Sequence, residues 1–281
     1  MSDAYRYRTA TAADMPAAHA LSVHLKWPHR EEDWAMVQRT SEGFVAEHHG
    51  QLVGVAFACH QGAYSSIGLV IVSDRHQSKG IGRQLMKLCL DAAAPRTPIL
   101  NATESGSPLY VSMGFVEYAR IQQHQGVPQT TQTVAATGDD RCRVLARDEY
   151  PQLIELANAG SGLDRTAVLN ELLPTAECVA GIGVRGQLKG CALLRRFGRG
   201  YLIGPVVAQN LQRAQQMISY LLALTPGAFV RFDVLAECGL VDWLESLGLP
   251  CVDRAPRMVL GEPPQSRDGI AQFAMVTQAI G

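Results

Sequence analysis

The 281-residue chain lacks a run of apolar residues long enough to span a membrane, and its first residues, Met1-Ser2-Asp3-Ala4-Tyr5-Arg6, carry no basic stretch followed by an apolar one. Those absences leave no sign of a transmembrane helix or a secretory leader, and a cytoplasmic protein without a membrane partner is expected. An excess of one charge is missing too: 25 Lys and Arg stand against 26 Asp and Glu, which argues against a chain-wide affinity for nucleic acid. The seven cysteines are scattered singly, with no Cys-x-x-Cys pair, so buried thiols are expected in place of a disulfide framework or a zinc site. No metal is expected. Histidine is absent from everything after His124, so the two halves of the chain differ chemically.

What is present is a hydrophobic content of 47%, ample for a core, and a length that favours two domains. The first half alternates strand-like and helix-like segments: strand Tyr5 to Thr9, helices Thr11 to Leu25 and Glu31 to Arg39, then a hairpin of Gly43 to Glu47 and Leu52 to His60 turning at His49-Gly50. Strand Ile67 to Val72, helix Gly80 to Ala94, strand Pro98 to Ala102, a short helix Ser107 to Met113 and strands over Phe115 to Gln123 follow. Residues 127–140 lose periodicity and are rich in Thr, Gln and Gly, which reads as a linker between a domain at 1–126 and another at 141–281.

Between Val70-Ile71-Val72 and the long helix lies Gln77-Ser78-Lys79-Gly80-Ile81-Gly82-Arg83. Gly80 and Gly82 carry no Cβ, so backbone amides can approach a ligand closely. The unpaired N–H groups and positive dipole end of the helix that follows favour an anion, and Lys79 and Arg83 add charge. A Walker loop needs a Gly-Lys-Ser/Thr that is missing here, and a dinucleotide fingerprint needs a third Gly where Leu85 stands. Downstream, Pro108-Leu109-Tyr110-Val111-Ser112-Met113-Gly114-Phe115 puts a Tyr in a short helix stopped by Gly.

Gln77-Ser78-Lys79-Gly80-Ile81-Gly82 resembles the acetyl-CoA loop of the GNAT acetyltransferase superfamily, written Gln/Arg-x-x-Gly-x-Gly/Ala, and Leu109-Tyr110 through Gly114-Phe115 resembles its Leu-Tyr-x-x-x-Gly-Phe helix. The second half restarts the pattern: Tyr201 to Val207 echoes Ser66 to Val72, but Ala208 to Ala214 lacks glycine, and Leu244 in Asp242 to Leu249 replaces Tyr110. The whole, with Trp27 to Trp34 and Asn101 to Tyr110, resembles tandem GNAT proteins whose C-terminal half is a degenerate copy. The implied fold is α/β in two tandem domains, each a mixed, mostly antiparallel sheet flanked by helices.

The resemblance implies an acetyl-CoA-dependent N-acetyltransferase with a small-molecule amine acceptor, a small amine or an amino-acid-like metabolite. Acetyl-CoA would be held at Val70, Ile71 and Val72, with a bulge near Val72 and its amide as oxyanion donor, and at Gln77, Ser78, Lys79, Gly80, Ile81, Gly82 and Arg83. Thr103 would stand in for an Asn that bonds the pantetheine arm, or act only as a helix cap. Tyr110 would be the acid that protonates the leaving thiolate. His24, Trp27 and His60 are candidates on the acceptor side, and His24, His60 and Glu104 are the candidates for a base, since neither central strand carries a carboxylate. A CoA-binding regulator or scaffold, and a protein N-acetyltransferase, remain as alternatives.

Overall fold

The computed structural model describes residues 4–129, 134 and 140–281. Most of the expected linker at 127–140 therefore lies outside the described residues. The first half contains β1 (Arg6–Thr9), α1 (Met15–His24), α2 (Glu31–Thr40), β2 (Glu42–His48), β3 (Gln51–Gln61), β4 (Tyr64–Val72), α3 (Ile81–Ala93), β5 (Thr97–Asn101), α4 (Ser107–Ser112) and β6 (Val116–Gly126). The second contains β7 (Cys142–Val144), α5 (Tyr150–Ser161), α6 (Thr166–Leu172), β8 (Cys178–Val184), β9 (Gln187–Phe197), β10 (Gly200–Ala208), α7 (Leu211–Ala223), β11 (Val230–Leu235), α8 (Val241–Ser246), β12 (Cys251–Val259) and β13 (Ala271–Ala274).

The repeat inferred from the sequence is real: after its first strand, each half runs helix, helix, three antiparallel strands' worth of meander, helix, strand, short helix, strand. The halves do not keep separate sheets, however. The strands form one 13-stranded sheet in the order β1-β2-β3-β4-β5-β12-β6-β11-β13-β10-β9-β8-β7. β12 of the second half pairs with β5 of the first, and β6 of the first pairs with β11 of the second. Each half thus completes its sheet with a strand from the other, a non-local pairing that alternating hydrophobicity cannot reveal. A boundary drawn at residue 126 divides the chain but not the sheet.

Three large cores follow from this arrangement. On one face of the first half, α3 buries Ile81, Leu85, Met86, Cys89 and Ala93, residues spaced at helical periodicity, against β2 to β5. The equivalent face of the second half packs α7 and α8 on β8 to β11. On the opposite face the two halves share a single core: Trp34, Val37 and Phe57 of the first half lie in one cluster with Leu153, Leu169 and Leu193 of the second. Trp34 is wholly buried and its indole N–H donates to Ser22 Oγ at 3.2 Å. Side chains of this size contribute roughly 1.5–3 kcal/mol each on burial, so the shared face binds the halves into one body. Arg39 to Glu171, 2.7 Å, adds a polar link between α2 and α6. Four of the seven cysteines are buried, while Cys142, Cys238 and Cys251 are half-buried, and all are free thiols.

Candidate active site

β4 and β5 run parallel and pair only from Tyr64 to Ile67 against Thr97 to Leu100. Past Ile67 they separate, and β4 changes shape at that point. Its register with β3 slips between Gly68 opposite Phe57 and Ile71 opposite Val55, so Leu69 and Val70 together face one residue, a β-bulge. Leu69 holds φ +50, a left-handed conformation that costs a non-glycine residue about 1–3 kcal/mol and is found mainly at functional sites. The bulge therefore lies at Leu69-Val70 and not near Val72, where it was expected from the sequence.

Beyond the bulge the hydrogen-bonding alternation decides where amides point. Ser73 N–H donates to Val53 O at 2.8 Å, and Ile71 is registered with Val55. Val72 between them is a non-hydrogen-bonded position, so its N–H is directed away from β3, toward the opening beside β5. Its carbonyl accepts from the Gln77 side chain at 3.2 Å, which also donates to Asp74 Oδ1 at 3.1 Å. Gln77 thus ties the loop to the end of the strand, a structural reason for an amide side chain at the head of the motif.

The loop reaches α3 through two left-handed residues, Ser78 at φ +60 and Gly80 at φ +80. Left-handed residues set among right-handed ones turn successive amides toward a common point, the geometry of an anion nest. Nothing stands within 4 Å of where a Gly80 Cβ would lie, so glycine is needed here for φ and for access, not because a neighbour crowds it. Arg83 donates to Ser112 Oγ at 2.7 Å and is braced on the flank of the loop.

The Tyr helix has an equally local explanation. Gly114, at φ +92, donates to Val111 O at 3.0 Å, and Phe115 N–H donates back to Tyr110 O at 3.1 Å. This is a Schellman stop, in which the residue after the glycine packs back on the helix. Phe115 does so edge-on to Tyr110, with ring centroids 6.2 Å apart. The Gly-Phe of the motif thereby fixes the tyrosine ring. Burial pushes the Tyr110 phenol up to about 12, with Cys89 a lesser cause, so it holds its proton throughout the neutral range.

These pieces surround one groove of about 470 Å³. Val70, Ile71, Val72, Gln77, Ser78, Gly80, Ile81, Gly82, Arg83, Thr103 and Tyr110 all line it, and so does Trp27 from the loop after α1. Lys79 lies in the same loop but does not line the groove. Thr103 Oγ1 accepts from Gly106 N–H at 3.1 Å, so its hydroxyl oxygen serves the α4 entry turn while the residue borders the groove. His24 sits at the rim, its Nε2 2.9 Å from Asp74 Oδ2. His60 is not brought there: it pairs across the hairpin with Ser65, seven residues before Val72 along β4, about 20 Å away at strand rise. Glu104 is exposed and does not line the groove, and no carboxylate does. Leu25, His76, Ser105, Gly106 and Leu109 complete the lining; Gly106 and Leu109 lie inside the Tyr-helix segment, whereas nothing local singles out Leu25 or His76.

The second half shows what happens to this site when its residues change. β10 bulges in the corresponding place, with Gly204-Pro205 facing Leu193, and pairs with β11 only over Tyr201 and Leu202. The gap beyond is filled by β13, which pairs with both strands. At the start of α7 the Asn210 side chain caps the helix itself, accepting from Arg213 N–H at 3.0 Å. Leu244, wholly buried, occupies the place of Tyr110. A chain segment and a cap therefore stand where the first half has an open groove and open amides. The segment continues to the first half: Asn101 Nδ2 donates to Gln278 O at 2.8 Å, and Gly68 lies so close to the Ala279 carbonyl that a Cβ would stand 1.8 Å from it.

Comparison with known proteins agrees with this geometry. Residues 21–134 and residues 153–273 each match a model described as an acetyltransferase (GNAT) domain. The chain is 29% identical over 226 residues to an uncharacterized N-acetyltransferase, YitH, of Bacillus subtilis, covering 78% of each sequence. A putative acetyltransferase from Pyrococcus horikoshii superposes with a TM-score of 0.81 at 18% identity over 100% of this chain and 97% of its own. A tandem GNAT protein from the clavulanic acid biosynthesis pathway superposes with a TM-score of 0.65 at 14% identity, over 94% of this chain and all of that one.

Proposed function

Since the chain belongs to the GNAT acetyltransferase family in both its halves, and is an acetyltransferase of tandem architecture, we propose that it transfers the acetyl group of acetyl-CoA to a small amine at the groove of the first half. The observation that carries this reading is the contrast between the halves: one keeps an open groove with left-handed Ser78 and Gly80, the other fills and caps the same place.

The residues present suit the cofactor. The amides from Ser78 to Arg83 face the pyrophosphate, and the Gly82 position, with no Cβ and ordinary φ, lets it approach. The edge of β4 from Val70 to Val72, unpaired with β5 there, holds the pantetheine arm by main-chain hydrogen bonds. Bound acetyl-CoA supplies an activated acetyl thioester. Val72 N–H then donates to the carbonyl oxygen as negative charge develops on it, an interaction typically worth about 3–4 kcal/mol. Tyr110 Oη, protonated at neutral pH, donates its proton or a hydrogen bond to the departing sulfur. Trp27 walls the groove on the acceptor side. The acceptor amine loses its proton to water, with the His24–Asp74 pair at the rim the nearest group able to relay it.

One observation favours a second reading, a CoA-binding regulator with little transferase activity: no carboxylate lines the groove. Thiol release from acetyl-CoA, followed against a panel of amines, separates the two. Amine-stimulated release that drops in Tyr110→Phe supports the enzyme; acetyl-CoA binding with no stimulation by any amine supports the regulator.

A further inference from the structure

A second cavity, of about 360 Å³, opens on the other side of the loop after α1 and is built by both halves. Lys26 and Pro28 come from that loop, Phe197, Gly198 and Arg199 from the β9–β10 hairpin, and Phe229 and Arg231 from the start of β11. The four residues 25–28 form a shared partition: Leu25 and Trp27 face the acetyl-CoA groove, while Lys26 and Pro28 face the cavity. The hairpin tip closes on the loop, since a Cβ on Gly198 would lie 3.0 Å from Pro28 Cβ.

The lining is cationic and aromatic, with no carboxylate in it. Arg231 is neutralised by a bidentate pair with Asp233, its NH2 and Oδ1 2.8 Å apart. Lys26 and Arg199 have no ion pair among the described residues, and Arg199 lies over the Phe229 ring at 4.3 Å. Two uncompensated cations beside two phenyl faces make a site for a flat apolar group that bears an anion.

The backbone at Lys26 adds an independent reason. Lys26 N–H donates to Val23 O and Trp27 N–H to Ser22 O, both at 2.9 Å, which makes Lys26 the left-handed residue of a Schellman stop, with φ +59. Glycine is the residue that takes this place without strain. A lysine kept there presents its ammonium to the cavity at a cost in stability, as functional positions often do.

We propose that this cavity binds the acceptor's acidic end, so that the substrate class is an amine carrying a carboxylate or another anion on an apolar body, selected by the second half. The assignment rests on the acetyl-transfer reading of the first half. The second half, having lost its own cofactor groove, retains a function as the specificity wall.

The probe is 3-phenylpropionate, compared with 3-phenylpropan-1-ol, in titrations of the full chain observed by ligand NMR. The acid is expected to bind at least tenfold more tightly than the alcohol. Lys26→Gly and Arg199→Ala are each expected to remove most of that preference while leaving acetyl-CoA affinity within twofold. Lys26→Gly is further expected to raise the melting temperature, by about 2–4 °C, because it relieves the left-handed strain. Against whichever amine stimulates thiol release, the acid should raise the amine's KM without changing that of acetyl-CoA. Equal binding of acid and alcohol, binding of neither, indifference to both variants, or competition with acetyl-CoA in place of the amine overturns the proposal. Failure of acetyl-CoA to bind the wild-type chain would instead overturn the reading of the first half, and the probe titration would stand apart from it.

Discussion

His29 joins the acceptor-side loop to the second half, and its ring offers a test of that junction that needs no substrate. It packs edge-on to Phe197, centroids 5.5 Å apart, and against Trp34, and its Nδ1 is sealed from solvent without a partner. Burial first, and repulsion from Arg231 second, push its pKa down from 6.5 to about 4. In the unfolded chain the ring takes a proton near pH 6.5; in the folded chain it resists until about 4. Stability contributed by neutral His29 is therefore full above pH 6.5 and is lost as pH falls toward 4. At 1.36 kcal/mol per pH unit, the loss between pH 7 and 4.5 comes to about 2.5 kcal/mol. The carboxylates held low by arginines, Asp14 by Arg8 and Glu149 by Arg143, add their own losses only below about pH 4.5. Urea unfolding at several pH values between 7 and 4.5 reads this directly: with a slope of about 3 kcal/mol/M, the midpoint should fall by roughly 0.8 M. His29→Phe fills the same space among aromatic rings and titrates nothing, so its midpoint should stay nearly level over that range. A wild-type midpoint that does not move, or a variant that moves as much, would refute the burial of a neutral ring at this junction.

Other outcomes follow from the same geometry. Tyr110→Phe keeps the ring packing on Phe115 and removes only the hydroxyl, so kcat should fall by about 10²- to 10⁴-fold with acetyl-CoA affinity little changed, measured by thiol release and calorimetry. Gly68→Ala and Gly204→Ala would drive a methyl into the carbonyls of Ala279 and Met275, at 1.8 and 2.0 Å; each should lose about 3 kcal/mol or more in urea unfolding. Gly82→Ala meets only Leu109 Cδ2 at 3.5 Å and should stay within about 1 kcal/mol of wild type. Because β6 and β12 are exchanged between the halves, residues 1–126 expressed alone should show no cooperative melt, whereas the full chain melts in one transition.

Much of the site was legible from sequence because its parts are local. Gln77 to Gly82 and Leu109 to Phe115 are short segments whose spacing encodes their own backbone: a left-handed Gly80, and a helix stop at Gly114 that anchors Tyr110. Periodicity placed the helices and strands for the same reason. What could not be read is everything set by distant pairing. The exchange of β6 and β12 is invisible, since either strand fits either sheet edge by alternation alone. The segment around β13 that fills the second groove has no motif, although glycines inside the strands, Gly68 and Gly204, mark where another backbone comes close. The bulge fell at Leu69-Val70 because φ +50 at a leucine follows from no propensity. His60 was misjudged for a plain reason of length: it lies on the right strand pair but at the wrong end of it.

The most direct measurement is a calorimetric titration of the full chain with acetyl-CoA, beside the Gly82→Val variant. One site per chain is predicted, lost or weakened at least tenfold in Gly82→Val with the melting profile retained. Two sites per chain, or undiminished binding by the variant, would contradict the assignment of a single cofactor groove to the first half.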